Sequence, residues 1–567
     1  MFDLKIRGAQ VYDGSGAPAH SLTVAVRSGR VVAIGEAADA ESAAHTIDAG
    51  GLALMPGIVD NHTHYDAQVT WDAFCHPSPA LGVTTAVIGN CGFTIAPCRP
   101  ADRDRVMRNL TQVEGMSLEV LRAGIDWSFE SIAQYLDLLE RRRSAINLAA
   151  FVGHSSVRTW VMGEAATERT ASEAEIAAMR TLVDEGLAAG AIGFATSTSP
   201  AHNGEGGRPM PSRLACADEL HHLTMALRDA GRGVFMLTKG GHTRIDFLEQ
   251  LAADSGRPVI VAALLHNATN PDVVFDDLDA IEAARGRGRS MWGAVSCCPL
   301  TNDFTLASPY PVEGLQSWRP ALSLRGPELM AKLSETAFRD AVRAELKQPA
   351  TFRLFNGEWD KVEVVEVAYA RNAACEQQSI AALARQRGRD PLDVMLDLAI
   401  DEQLRTVFSA VLLNSDEAAV ARVLQHPASL VSLSDAGAHL TFFNDAGFGL
   451  HLLGHWTREL GVLSLPAAVR RLTSDSAAAL GLSDRGRIAP GLPADLLLFD
   501  PATVGRGPKR RVFDLPGGNP RLDTAALGVH GVWVNGAQVA NAQGLCADAP
   551  RAGQLLRGGC GAAAASV

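Results

Sequence analysis

The sequence predicts an α/β protein built on a (β/α)8 barrel, with a small β unit at each chain end. Two observations carry that prediction. Eight short apolar runs read as strands, at 52–60, 83–89, 146–152, 191–196, 233–238, 258–265, 291–297 and 429–434, and helical patterns such as 174–187 and 247–253 lie between them. Before residue 55 and after residue 486 the pattern changes to short strands broken by glycine turns. A barrel places its chemistry at the C-terminal ends of its strands, so function is to be read in the residues that follow each run.

Taken in order, residues 1–55 hold Asp3-Leu4-Lys5-Ile6-Arg7, the turn Asp13-Gly14-Ser15-Gly16, and the strands Leu22–Val26 and Val31–Ile34. This β unit is too thin to stand alone, and its partner is expected at 486–546, in the apolar run ending Leu496-Leu497-Leu498-Phe499 and in Val529–Val534. The barrel then occupies 56–485. The gap between its seventh and eighth strands is long, and it is assigned an insertion at about 305–370 and a helical layer from Ser379 to Ile400. Residues 547–567, ending in Gly-Ala-Ser low complexity, are expected to be a flexible tail.

Bulk properties exclude several functions. Of 567 residues, 47% are apolar, enough for a large core. No apolar run is long enough for a membrane span, and the N-terminus lacks a signal pattern, so a cytoplasmic protein is expected. Nine scattered cysteines without CxxC spacing fit reduced thiols rather than a disulfide framework. A net charge of −12, with no basic run longer than three residues such as Lys509-Arg510-Arg511, argues against nucleic acid. A small-molecule substrate remains, with a homo-oligomer possible in principle. The chain has six lysines against 45 arginines, which singles out a lysine at a strand end.

The most informative stretch is Pro56-Gly57-Ile58-Val59-Asp60-Asn61-His62-Thr63-His64. Residues i and i+2 of an extended chain point the same way, so His62 and His64 can reach one ion. Neutral imidazole is a common ligand for zinc and similar metals. An apolar strand, Pro-Gly, Asp and then the histidine pair resembles the strand-one metal motif of the amidohydrolase superfamily. After the second strand, Asn90-Cys91-Gly92-Phe93 resembles the metal-ligand cysteine motif of its N-acyl-D-amino-acid deacylase (D-aminoacylase) branch. The resemblance extends to Phe151-Val152-Gly153-His154-Ser155 and to Ser432-Leu433-Ser434-Asp435-Ala436-Gly437-Ala438-His439, and spans nearly the whole chain.

The resemblance implies a TIM-like barrel beside a β-sandwich made from both chain ends. It also implies one or two Zn2+ ions (or another divalent metal) and hydrolysis of a C–N amide bond in an N-acyl amino acid, in the D series in the named branch. Asp435 matches the catalytic aspartate. A carboxylate there can ligate the ion, take a proton from a water whose pKa zinc lowers to about 7, and pass it to the leaving nitrogen.

The sequence departs from the branch at the fifth and sixth strands. The expected histidine falls on Thr238, beside Lys239, and His266 stands about three residues late. Three arrangements stay open: one metal on His62, His64 and Asp435 with Cys91 near or bound; a carboxylated Lys239 bridging two metals with His266 as a further ligand; or Lys239 as a cation for a substrate carboxylate or oxyanion. His154, Arg158, Arg213 and His439 are candidate substrate-binding residues, the two arginines as carboxylate clamps. Hydrolysis of another linear or cyclic amide or of an ester, and a non-catalytic scaffold, are the rival functions.

Overall fold

The structure, a computed structural model, describes residues 1–350, 353–441 and 443–558. It divides into two units, one of Met1–Leu264, Asp277–Cys297 and Leu424–Val567, the other of Leu265–Asp276 and Cys298–Val423.

In the first unit eight strands form one parallel sheet: β1 (Ile58–Asp60), β2 (Val83–Ile88), β3 (Asn147–Gly153), β4 (Gly193–Ser197), β5 (Val234–Thr238), β6 (Val259–Ala262), β7 (Met291–Val295) and β8 (Ser429–Val431). They pair in chain order. Every residue of β2 to β6 is buried. A sheet covered on both faces has no polar side, which is why these segments read as largely apolar runs without charged residues. Phe194 on β4 and Phe235 on β5 are cross-strand neighbours, stacked at 6.0 Å and wholly buried. Just past the edge strands, Thr63 bridges Ala436 in parallel, and the His64 N–H donates to the Ala436 carbonyl at 2.7 Å. The sheet therefore curls until its edges meet, as a TIM-like barrel requires.

All eight expected strands are present, most of them shorter than expected: β1 keeps only 58–60 of 52–60, Ala53–Pro56 joining another sheet, and β7 ends at Val295 rather than 297. β6 ends at Ala262 rather than 265, and β8 at Val431 rather than 434. The chain leaves β8 because Leu433 takes a left-handed conformation, φ 66°, which no ladder accommodates.

Both chain ends are woven into a nine-stranded sheet. Ala53–Pro56 lies antiparallel to Leu496–Phe499, with Leu54 opposite Leu498. Ile6, Val24, Val26, Leu54, Leu496, Leu498 and Trp533 share one core cluster, so neither end can bury its apolar face without the other. Asp495, at the start of this seam, is fixed by Arg485 at 3.0 Å and by the Asn147 side-chain amide of β3 at 2.9 Å. A separate hairpin, Gly505–Leu515 with Asn519–Leu527, carries the basic run. There Arg510 pairs with Asp523 at 2.7 Å.

The expected flexible tail needs correction over its described part. Leu148 of β3 donates to the Gln554 carbonyl at 2.9 Å, Gly558 N–H donates to the Gly190 carbonyl at 2.9 Å, and Arg557 pairs with Asp137 and Glu140. Its backbone groups find partners, and that holds it in place. Residues 559–567 lie outside the described residues.

The second unit is larger than the expected insertion. It has a three-stranded antiparallel sheet, with Val407–Leu413 between Leu300–Phe304 and Val362–Glu366, and helices Gly326–Ser334, Thr336–Leu346, Ile380–Arg387 and Pro391–Asp401. Its own core centres on Trp318, Phe338, Phe408 and Met395. Among the described residues, no helix is long and apolar enough to cross a membrane.

Phe235→Ala should lower the free energy of unfolding by about 3–5 kcal/mol, the cost of deleting a buried aromatic ring, read from denaturant titration. A change below about 1 kcal/mol would show that this ring is not packed in the barrel as described.

Candidate metal centre

The centre is assembled from the C-terminal ends of three strands. After β1, the chain stays extended through Thr63, whose hydroxyl donates to the Val87 carbonyl at 2.7 Å. That leaves His62 and His64 on one side, both buried, with ring centroids 5.3 Å apart. Behind them Asp60 accepts from the Ser434 hydroxyl at 2.5 Å, tying the β1 end to the β8 loop.

After β2 comes a tight turn in which Cys91 has φ 57° and Gly92 φ 74°. The Asn90 side-chain amide holds it, donating to the Val87 carbonyl at 2.8 Å and the Thr63 carbonyl at 3.2 Å. A Cβ on Gly92 would sit 2.6 Å from the Ala195 carbonyl oxygen, so only glycine fits there. The turn delivers Cys91 Sγ to 3.6 Å from His62 Nε2 and 3.1 Å from the Thr238 hydroxyl.

After β8, Leu433, Asp435 and His439 all adopt positive φ, and Gly437 packs so close to His64 that a Cβ would lie 2.6 Å from its carbonyl carbon. Such strain persists only where the surroundings enforce it, and it gathers at functional sites. Here it places Asp435 Oδ1 3.3 Å from His62 Nε2 and 3.7 Å from His64 Nε2, with the Asp435 side chain still 22% exposed.

The donor set fits a divalent ion. Ligands bound tetrahedrally to zinc at its usual N, O and S distances stand roughly 3.3–3.6 Å apart. The Asp435–His62 and Cys91–His62 separations match that spacing, and one ligating atom each from His62, His64 and Cys91 lie within 4.8 Å of one another. Electrostatics agree. Burial pushes the His62 pKa well below the ordinary imidazole value, so it is neutral, as a ligand must be. Burial works the same way on His64, but the Glu114 carboxylate and Cys91 outweigh it and hold His64 well above the ordinary value, so an ion taking its Nε2 would displace a proton. Burial raises both the Asp435 carboxyl and the Cys91 thiol. Acidic groups crowded out of water call for a positive charge between them.

A model of the amidohydrolase family matches residues 45–540. The chain is 30% identical over 568 residues to an N-acyl-D-aspartate deacylase of Alcaligenes xylosoxydans xylosoxydans, covering 98% of this chain and 95% of that one. The chain belongs to the amidohydrolase family. Among solved structures, this amidohydrolase is similar to an N-acyl-D-glutamate deacylase from Bordetella bronchiseptica complexed with zinc and a phosphonate inhibitor. The TM-score is 0.66 at 26% identity, covering 98% of this chain and 99% of that one. It is equally similar (TM-score 0.66, 25% identity, 98% and 99% coverage) to a D-aminoacylase described as having a binuclear metal centre with one-metal activation and second-metal attenuation.

The end of the fifth strand decides which of its last residues faces the centre. Thr238 faces Cys91, so the next residue points to the other side of the sheet. Lys239 lies there, ion-paired with both carboxylate oxygens of Asp277. The expectation of Lys239 as a bridging ligand or substrate cation is corrected by this alternation: its ammonium is turned away and already neutralised. His266 belongs to the second unit, where its N–H donates to the Asn414 side-chain oxygen at 2.8 Å.

His154 and Arg158 also need correction as substrate-binding residues. His154 Nε2–H donates to Glu219 Oε1 at 2.8 Å and Nδ1 accepts from the Thr196 hydroxyl at 2.7 Å, while Arg158 pairs with the same Glu219. All three side chains are wholly buried, and none has a face left for a substrate. Arg213 differs. It is half-buried and donates to the His202 carbonyl at 3.2 Å and to the Asn203 side chain, with no carboxylate partner among the described residues. His439 N–H donates to the Glu114 carbonyl at 2.5 Å, and its ring meets Phe443 edge-on.

Two residues escaped the sequence reading. Glu114 ends the helix Arg103–Val113, with its carboxylate 3.1 Å from His64 Nδ1. His202 follows β4, packs against Phe93 and bonds the Ser197 hydroxyl at 2.6 Å. Burial pushes its pKa down to about 4, with His64, His439 and Arg213 adding to the effect. Neither stands in a motif or at a strand end, so nothing local marks them.

Lys239→Met should leave the metal content per chain unchanged in elemental analysis, because the side chain points away from the centre. Loss of metal in this variant would restore Lys239 to the ligand set.

Proposed function

We propose that this amidohydrolase is a one-metal hydrolase that deacylates N-acyl amino acids, of the D series by analogy with its deacylase relatives. The observation that carries the reading is His62 Nε2 at zinc-ligand spacing from both Cys91 Sγ, 3.6 Å, and Asp435 Oδ1, 3.3 Å, with His64 clustered with His62 and Cys91. In this reading His62, His64, Cys91 and Asp435 hold the ion. Bound there, zinc supplies Lewis acidity, which polarises an amide carbonyl and lowers the pKa of a water to about 7.

Asp435 does the proton work. It is the one carboxylate of the set that combines contact with both histidines and exposure, so it can take a proton from water and deliver it to the departing nitrogen. Thr238 supports a single ion: a hydroxyl stands where the deacylase pattern has a histidine, and Lys239 is turned away. Arg213, half-buried and without a carboxylate of its own, is the cation we assign to the carboxylate of the substrate. The sheet built from both chain ends is read as the β-sandwich of this family, and a small soluble amide in the cytoplasm as the substrate.

Two variants test the chemistry on a panel of N-acetyl-D- and N-acetyl-L-amino acids. His62→Ala should lose metal and activity together. Asp435→Asn should stay folded while turnover falls by about 10²–10⁴, the range for removing a general acid–base group. Near-normal turnover by Asp435→Asn would contradict the assignment.

A further inference from the structure

The mechanism leaves Glu114, a buried carboxylate beside His64, without a task. Glu114 is 2% exposed, and its N–H caps the preceding helix by donating to the Leu110 carbonyl. The groups that stabilise its charge against burial are imidazoles: His64 first, then His439 and His202. A carboxylate taken out of water is costly unless something pairs with it, so its position at the metal centre calls for an explanation.

Glu114 Oε1 and His64 Nδ1 face each other at 3.1 Å. Their approach is off-line for a hydrogen bond, and neither atom has a hydrogen bond elsewhere among the described residues. The other ring nitrogen, Nε2, already points at Asp435 Oδ1, 3.7 Å away. The backbone of the same residue reaches the other side of the site: the Glu114 carbonyl accepts the His439 N–H at 2.5 Å, and Ala438 N–H closes a turn on the Asp435 carbonyl at 2.9 Å.

We propose that Glu114 is the positioning residue of the metal centre: its carboxylate fixes His64 as the Nδ1–H tautomer with Nε2 aimed at the ion, and its backbone carbonyl docks the loop that carries Asp435. A ligating histidine whose second nitrogen donates to a carboxylate is both better oriented and more basic, and removing such a partner typically weakens metal binding 10–100-fold. One residue thus couples the β1 ligand to the β8 loop. The inference rests on the one-metal reading above, because it takes His64 as a ligand.

The test measures zinc affinity of the full chain by competition with a chromophoric chelator, for the unaltered protein, Glu114→Ala and Glu114→Gln. Glu114→Ala should bind zinc about 10–100-fold more weakly, and Glu114→Gln, whose amide oxygen still accepts from Nδ1–H, should recover most of that loss. Thermal melting of both variants separates weakened binding from unfolding. A folded Glu114→Ala that binds zinc as tightly as the unaltered protein overturns the proposal, as does a Glu114→Gln as weak as Glu114→Ala. If Glu114→Ala does not fold, a zinc-soaked crystal of the unaltered protein decides. An ion on His64 Nε2 with Glu114 outside the ligand set supports the role. An ion on His64 Nδ1, or on the Glu114 carboxylate, overturns it while leaving the one-metal reading standing, whereas no ion at His62, His64 and Cys91 removes both.

Discussion

The hydrogen bond from the His64 N–H to the Ala436 carbonyl closes the barrel and builds the site in the same act. It joins the chain leaving β1 to the chain leaving β8, the two edges of the eight-stranded sheet. Everything near it is shaped by that closure. Gly437 has no side chain because the His64 backbone occupies the space, and Leu433, Asp435 and His439 take left-handed conformations so that the loop can fold over the histidines. The backbone strain is spent on bringing Asp435 to within 3.3 Å of His62.

The second constraint is electrostatic. Asp435, Glu114 and Cys91 stand around two imidazoles in a space largely closed to water. Without a cation those groups oppose one another. With one, the same crowding becomes affinity, since each ligand is already held by packing and a positive charge removes the penalty of burying the carboxylates. Two other acids in the unit carry architecture instead. Glu219 joins His154 and Arg158 beneath the β3 and β4 ends, and Asp495 joins the terminal sheet to β3. The difference between the groups lies in saturation. Both nitrogens of His154 are occupied by protein, whereas the β1 histidines keep nitrogens turned toward one another's ligands.

Much of the fold was legible because barrel strands buried on both faces are marked by their own apolar runs, and His62, His64, Cys91 and Asp435 sit directly after such runs. What was missed depends on distance or direction. Val407–Leu413 pairs with Leu300–Phe304, about a hundred residues earlier, so no local pattern announces the sheet of the second unit. Glu114 and His202 reach the centre from a helix end and a loop. Lys239 was singled out by its rarity, but rarity says nothing about which side of a strand a residue faces. The alternation from Thr238 does, and it turns Lys239 toward Asp277. The tail up to residue 558 misled for the opposite reason: its composition suggests freedom, while its backbone is paired to β3.

The number of metal ions per chain tests the central claim most directly, measured by elemental analysis of protein purified without added metal and located in an anomalous difference map. The account predicts one ion, among His62, His64, Cys91 and Asp435, with Thr238 and Lys239 unliganded. Two ions with density extending from Lys239, or no ion even after reconstitution, would contradict it.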